Sequence, residues 1–250
     1  MNYFIKQYKA TCKKEFHKYG FKSYHNNYYR VVNDVFQSFC LQRSVSGMDC
    51  TVNFSLVPLC SSHEINKLSC NEGGHLKMFE GSYAWFPYDR HSEESMRSCI
   101  HSMVDYIHKY LIPYFEKGNS CKNAYAVISE FEAMSKPQTV ELPVAHEFPL
   151  YSHLKFCIAL KNGDYILAVN HLEEIKIQWQ YAYQHTIKVW KELQYKIDAE
   201  YERKMEADMT KLQKQIELIS KRDMDYINNF IQSNEQRSLR NLGLAATIKP

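Results

Sequence analysis

The stretch Cys50-Thr-Val-Asn-Phe-Ser-Leu-Val57 decides the fold class, because apolar and polar side chains alternate along it until Pro58. Successive side chains of a strand point to opposite faces of a sheet, so this alternation predicts a half-buried strand. The apolar set, which we expect on the core face, is Val52, Phe54 and Leu56. The polar set, which we expect on the opposite face, is Thr51, Asn53 and Ser55.

Two further β-rich runs precede this strand in the sequence. Residues 28–32 and 35–42 flank Asn33-Asp34, and a two-residue Asn/Asp turn between such runs predicts a β-hairpin. A short strand is also expected at residues 83–86, where Pro87 ends it. The N-terminal part is therefore expected to contain an antiparallel sheet of three to five strands.

Helices are predicted on both sides of these strands. Residues 3–19 place apolar side chains at steps of three and four, and Gly20 stands at the position that ends helices. Ser92 is a helix N-cap residue, and the helix that follows it extends to about residue 117. We therefore expect an α+β domain over residues 1–118, in which the sheet packs on these helices.

The second half of the chain is expected to be entirely helical. Residues 119–174 form a helical segment with a proline-containing linker (Pro137, Pro143 and Pro149) and a helix hairpin around Gly163. Residues 175–236 are predicted to be one long amphipathic helix or two helices broken near 220–223, and 237–250 a tail. The helix carries an apolar stripe formed by Trp190, Leu193, Ile197, Tyr201, Met205, Met209, Leu212, Ile216 and Ile219.

This stripe advances by about 3.6 residues per step, which is the α-helical period and not the 3.5 of a coiled coil. Packing against the body of the protein or against a second copy is therefore favoured over a free-standing coiled coil. From Asp164 to Leu242 the sequence contains neither Gly nor Pro, so no residue of those types interrupts the predicted helix.

Composition and charge exclude several classes of protein. The 250 residues carry a net charge of +3, which is too small to indicate a partner, and the apolar runs are too short to span a membrane. The start of the chain has no long apolar core, so no signal peptide is expected. The eight cysteines are therefore expected to be reduced thiols in a cytoplasmic protein.

Several short motifs in residues 3–118 resemble a known family. They are Gly20-Phe-Lys22, the strand Tyr28–Arg30, Gln37, Leu41-Gln42, Thr51-Val-Asn53 before Phe54, Trp85, and Leu111-Ile-Pro-Tyr-Phe-Glu-Lys117. Together they resemble the uncharacterised bacterial domain-of-unknown-function family 4304. The resemblance implies an α+β fold and brings no activity or catalytic residues with it. The loop at 60–75 and everything after residue 118 depart from the family pattern.

Two groups of residues are candidate metal ligands. Cys60, His63, Cys70 and His75 offer four sulfur and nitrogen ligands within one polar loop, which is the ligand set of a structural zinc site. The spacing differs from that of a zinc finger, so a plain loop is favoured and no cofactor is predicted. The second group shares one helix face, and a solvated polar face is the favoured interpretation: His101, Asp105 and His108.

Sequence motifs do not indicate an enzyme. GxSxG, HExxH, P-loop and GxGxxG patterns do not occur. The N-terminal lysines and tyrosines suit nucleic-acid binding, but a solvated helix flank is the favoured interpretation.

We therefore expect a non-enzymatic interaction protein of bacterial type, acting as an accessory or immunity-like partner. It would bind a protein, or a second copy of itself, through the long helix (the 190–219 stripe) or through the sheet face. The sheet-face residues are Gln42, Thr51, Asn53, Ser55 and Trp85. The alternative is a metal-dependent hydrolase or nuclease that uses the 60–75 loop or the His101 helix face.

Overall fold

The computed structural model describes residues 3–70, 73–135, 150–196 and 198–244. Contacts divide the chain into two units, of which the first comprises residues 1–137 with 234–250 and the second residues 138–233. The predicted linker with Pro137, Pro143 and Pro149 lies outside the described residues, as does Ile197. Within the described part of the chain, no helix is both long enough and apolar enough to cross a bilayer.

The first unit contains an antiparallel sheet of six strands, which confirms the α+β prediction. Strands β1 to β5 are neighbours in chain order, and β6 also pairs with β4. The predicted hairpin joins β2 to β3, where Val32 pairs with Val35 across a turn in which Asn33 has φ +52°. The strands are β1 (Lys22–Tyr24), β2 (Asn27–Val32), β3 (Val35–Arg43), β4 (Asp49–Pro58), β5 (Gly74–His75) and β6 (Phe86–Pro87).

Helices of the first unit begin and end at the residues that the sequence indicates. The first helix continues into a 3₁₀ turn that stops at Gly20, whose φ of +82° suits glycine. The Ser92 hydroxyl accepts a hydrogen bond from the Ser95 amide, which caps the second helix. A π-helical turn at Ile107–Leu111 precedes Pro113, which lies in the first turn of the third helix. These helices are α1 (Tyr3–Phe16), α2 (Glu93–Tyr106), α3 (Ile112–Lys117) and α4 (Cys121–Ser135).

The core lies between these helices and one face of the sheet. Val52, Phe54 and Leu56 are buried, as the alternation of residues 50–57 predicts. Phe54 stands at the centre of an aromatic cluster that joins the sheet to the helices. Its ring neighbours are Phe79, Tyr114, Phe115 and Phe131.

The second unit consists of helices α5 (Leu150–Lys161), α6 (Tyr165–Glu192), α7 (Ala199–Ser220) and the first part of α8 (Met224–Leu242). Of the two alternatives for residues 175–236, the break near 220–223 is observed, since α7 ends at Ser220 and α8 begins at Met224. A further break, which neither alternative included, follows the end of α6 at Glu192. The expected tail is also helical as far as Leu242, since α8 continues through it.

Both breaks use non-glycine residues in the left-handed conformation. Gln194 has φ +58° and Arg222 has φ +55°. After each, the next amide bonds back five residues, Tyr195 to the Trp190 carbonyl and Asp223 to the Leu218 carbonyl, which is the Schellman arrangement. The following helices are capped by aspartates: Asp198 accepts from Glu200, and Asp223 accepts from Tyr226.

Candidate interaction surface

Of the five expected positions on the polar sheet face, two are buried, two are half-buried and Gln42 is exposed. Thr51 and Ser55 are both 0% exposed, so the expectation of an open polar face is wrong for them. Asn53 is half-buried, and its side-chain amide donates to the Gln42 side-chain oxygen Oε1 at 2.6 Å. Trp85 is half-buried and lies next to β6 instead of within a longer strand.

Residues 59–70 fold over this second face of the sheet, which is the physical reason for its burial. Asn27 on β2 donates to the Lys67 carbonyl at 3.1 Å, and the Ser38 hydroxyl on β3 donates to the Ser69 carbonyl. Cys40 on β3 is disulfide-bonded to Cys70. The alternation along β4 identified both faces correctly, but it carries no information on what covers the second one.

The structure does not bring the four candidate zinc ligands together. Cys70 is occupied by its disulfide with Cys40, which also corrects the expectation that all eight cysteines are reduced. The Cys60 thiol interacts with the Cys121 thiol, which raises the pKa of Cys121. Burial lowers the pKa of His63 and of His75. Among the described residues, no group of three or more His, Cys, Asp or Glu side chains could hold a metal ion.

The His101 helix face lines an open polar cleft between α1 and α2, with a volume of about 680 Å³. His101, Asp105 and His108 all contribute to its wall, together with Glu15 of α1. The His108 Nε2 lies 3.6 Å from a Glu15 carboxylate oxygen. The His108 ring also packs on Phe16, with ring centroids 5.0 Å apart. His108 is thus engaged in the contact between the two helices.

A two-helix arm extends from the second unit, and we define it as residues 176–211, the end of α6 and the beginning of α7. Helix α6 has 28 residues, whereas the preceding α5 has only 12. At 1.5 Å per residue, α6 is about 42 Å long and α5 about 18 Å. Buried residues of α6 occur only in its first half, at Ala168, His171, Leu172 and Ile175. Among the described residues of the arm, none is buried.

Aromatic contacts hold the two helices of the arm together. The Tyr201 ring of α7 packs on Trp190 of α6 at 5.0 Å and on Tyr183 at 5.8 Å. The Tyr183 hydroxyl donates to a Glu202 carboxylate oxygen at 3.5 Å. Partial burial first, and then the negative charge of Glu202, raise the pKa of Tyr183. Closer to the body of the second unit, the Lys176 ammonium donates to the Gln213 side chain at 2.7 Å.

The outer surface of the arm presents large apolar side chains to solvent. They are Ile177 (64% exposed), Tyr181 (41%), Leu193 (58%) and Tyr195 (64%). Ile177 and Tyr181 are four residues apart and therefore share one helix face. Exposed aromatic side chains on a rigid element are typical anchors of protein–protein contacts.

The predicted 190–219 stripe does not form one continuous face. Leu212, Ile216 and Ile219 are buried within the second unit, whereas Leu193 lies at the C-terminal cap of α6 and is exposed. Sequence reasoning missed Ile177, Tyr181 and Tyr195. One sequence signal could have found them. The helical pattern of α6 continues far beyond the length of α5, so the end of α6 could not be covered by that helix.

The fold of the first unit is that of an α+β domain with helices packed on one antiparallel sheet. Residues 12–117 of this domain match the model of the family described as Domain of unknown function (DUF4304), which confirms the predicted resemblance. The rest of the chain, including the arm, has no family match. Neither curated proteins nor solved structures gave a match to the chain.

Proposed function

We propose that this chain is a non-enzymatic interaction protein that binds a protein partner through the two-helix arm. The observation that carries the proposal is the arm itself. Among its described residues, which are the end of α6 and the beginning of α7, none is buried, and four large apolar side chains are exposed. The family match adds an α+β domain and no activity.

Exposed apolar area on the arm is unfavourable in the isolated protein. Removing such area from water is worth about 25 cal/mol per Å², so a partner that covers these side chains gains free energy. Clustered exposed apolar side chains on soluble proteins are typical of interaction sites. Covering the exposed apolar area of the arm would therefore favour binding. The sheet face offers no such exposed area at Thr51 and Ser55, because both are buried.

The geometry of the arm favours a partner with an apolar groove or helix. Ile177 and Tyr181 occupy positions i and i+4, the spacing with which a helix inserts its anchors into a groove. The Tyr181 ring also stacks on His185 four residues further on, with ring centroids 6.5 Å apart, which orders this face. A second copy of the chain is one such partner, and an accessory or immunity-like role in the cytoplasm is consistent with binding of this kind.

Matched isoleucines on α6 test the proposal. Ile177 in the arm is 64% exposed, and Ile166 in the first turn of α6 is 72% exposed. We expect Ile177→Asp to abolish capture of the partner from a lysate of the native host, and Ile166→Asp to leave it unchanged. The captured protein is then purified, and its Kd for each variant is measured by titration calorimetry. Light scattering of the pure chain shows whether the partner is a second copy.

Both variants are expected to keep the unfolding free energy within about 0.5 kcal/mol of wild type, because surface substitutions rarely exceed this. Equal weakening of binding by Ile166→Asp would contradict the arm as the binding element. A partner whose Kd is the same for wild type and Ile177→Asp would contradict it as well.

A further inference from the structure

A cavity of about 280 Å³ lies at the tip of the β3–β4 hairpin in the first unit, away from the α1–α2 cleft. The hairpin loop supplies one wall and the segment before α2 supplies the other. Its chemistry is set by two arginines, two serines, one tyrosine and one methionine: Arg43, Arg90, Ser44, Ser46, Tyr88 and Met96. No acidic side chain of the described residues lines it.

The two guanidinium groups of this cavity are not neutralised by carboxylates. Among the described residues, neither Arg43 nor Arg90 has an acidic side chain within salt-bridge distance. The positive charge of nearby Arg43 opposes the rise that burial causes in the pKa of Tyr88. Arg90 donates through Nε to the His91 ring at 3.1 Å. Guanidinium N–H groups suit the oxygens of a phosphoryl group, to which they bind in pairs.

The two serine hydroxyls of the hairpin loop leave one hydroxyl hydrogen free to donate a hydrogen bond. The Ser44 and Ser46 hydroxyl oxygens lie 2.9 Å apart, so one donates to the other. Each oxygen also accepts from the backbone, Ser44 from the Asp49 amide at 3.2 Å and Ser46 from the Met48 amide at 3.3 Å. One of the two hydroxyl hydrogens therefore remains for a ligand, beside the two guanidinium groups.

An apolar surface completes the cavity. The Tyr88 ring is fixed by stacking on Phe4 of α1, with ring centroids 4.4 Å apart. Met96, in the first turns of α2, is buried and contributes a second apolar surface. The volume is slightly below the range of about 300–1,000 Å³ that is typical of sites for drug-sized ligands. A phosphoryl group with a small organic remainder fits these limits, whereas a dinucleotide does not.

We propose that this cavity binds a small phosphate monoester. The phosphoryl oxygens accept hydrogen bonds from Arg43, Arg90 and the serine pair, and the organic remainder packs on Tyr88 and Met96. The cavity is in the first unit and the arm is in the second, so this proposal does not depend on the proposed function.

Titration calorimetry at constant ionic strength tests the site, with inorganic phosphate, phenyl phosphate and potassium acetate as probes. We expect saturable binding of both phosphates, tighter for phenyl phosphate because its ring reaches the apolar surface, and none of acetate. Arg90→Gln is expected to raise the Kd at least about tenfold, since it removes charge-assisted hydrogen bonds. Arg90→Lys, which keeps the charge and loses the paired donors, is expected to weaken binding as well.

Arg203→Gln is the matched control, because it removes the same charge from an exposed position on α7. Unchanged binding in Arg90→Gln, or equal weakening in Arg203→Gln, would overturn the proposal, as would the absence of saturable phosphate binding. Within the described part of the chain, the Arg90 side chain hydrogen-bonds to the neighbouring His91 alone, so its substitution is not expected to unfold the protein. The thermal midpoint of each variant without ligand verifies this.

Discussion

At the scale of single residues, most cysteines of the first unit lie in pairs, and Cys12 is the exception. Cys40 is bonded to Cys70, and the Cys50 and Cys99 sulfur atoms lie 3.4 Å apart in the core. The hydrogen bond between these two thiols lowers the pKa of Cys99 and raises that of Cys50. These two pairs join residues 30 and 49 positions apart, which no local spacing in the sequence reveals.

The disulfide predicts a defined thiol count. In denaturant without reductant, we expect six cysteines to react with a thiol reagent, and all eight after reduction, because Cys40 and Cys70 are bonded to each other. Reduction should also lower the free energy of unfolding by about 2–4 kcal/mol, as is typical for opening such a cross-link. A Cys40→Ser, Cys70→Ser double variant serves as the control, since reductant should leave it unchanged. Eight reactive thiols without reductant would contradict the bond.

His63 predicts a dependence of stability on pH. Burial, and then the positive charge of Arg237, lower the pKa of His63 below its ordinary value of 6.5. The unfolded chain therefore binds the proton more readily, and the free energy of unfolding should fall as pH decreases below about 6.5. Burial of His75 acts in the same direction. Urea denaturation of wild type and His63→Gln at pH values between about 5 and 7 measures this.

The His63→Gln variant should show a flatter pH profile than wild type, because it lacks one of the two groups. His17→Gln, at an exposed position after α1, is the control for replacing a histidine outside residues 59–70. Identical slopes for all three proteins would exclude His63 as a contributor.

At the scale of elements, sequence periodicity predicted strands and helices well and their interruptions poorly. The alternation of β4 fixes which residues enter the core, because a strand has only two faces. The absence of Gly and Pro from residues 164–242 left open one helix or two helices broken near 220–223. Left-handed Arg222 lies at that expected break, whereas left-handed Gln194 ends α6 where no break was expected. Asp198 and Asp223 were the available signals, since aspartate is a preferred N-cap residue.

Because Gln194 and Arg222 have positive φ, we predict that glycine at either position stabilises the protein. A non-glycine residue in the left-handed conformation costs about 1–2 kcal/mol, part of which glycine recovers despite its greater freedom in the unfolded chain. We expect Gln194→Gly and Arg222→Gly each to raise the free energy of unfolding, measured in urea, by about 0.5–1 kcal/mol. Lys188→Gly, at an exposed position inside α6, should instead lower it by about 1 kcal/mol. A loss of that size for Gln194→Gly would show that α6 continues through the turn.

At the scale of the whole molecule, the end of α8 belongs to the first unit. Arg237 donates to the Ser61 and Ser62 carbonyls, at 3.2 and 2.7 Å, and the Ser238 hydroxyl donates to the Leu59 carbonyl at 2.8 Å. The segment at 59–70 is thus held between the sheet on one side and α8 on the other. These bonds join residues 175 to 179 positions apart, so the sequence indicated only a tail at 237–250.

Substitution of Ser238 tests whether the end of α8 holds the 59–70 segment in place. It is fully buried, and its loss leaves the Leu59 carbonyl without this hydrogen bond, so Ser238→Ala should cost about 1–3 kcal/mol of stability. Ser233→Ala on the exposed face of the same helix should cost far less, because its hydroxyl bonds only within the helix. Hydrogen exchange localises the effect: in Ser238→Ala, amide protection should fall first in residues 59–70. Loss of protection confined to α8 would mean that the 59–70 segment is held by the sheet alone, through Asn27, Ser38 and the disulfide.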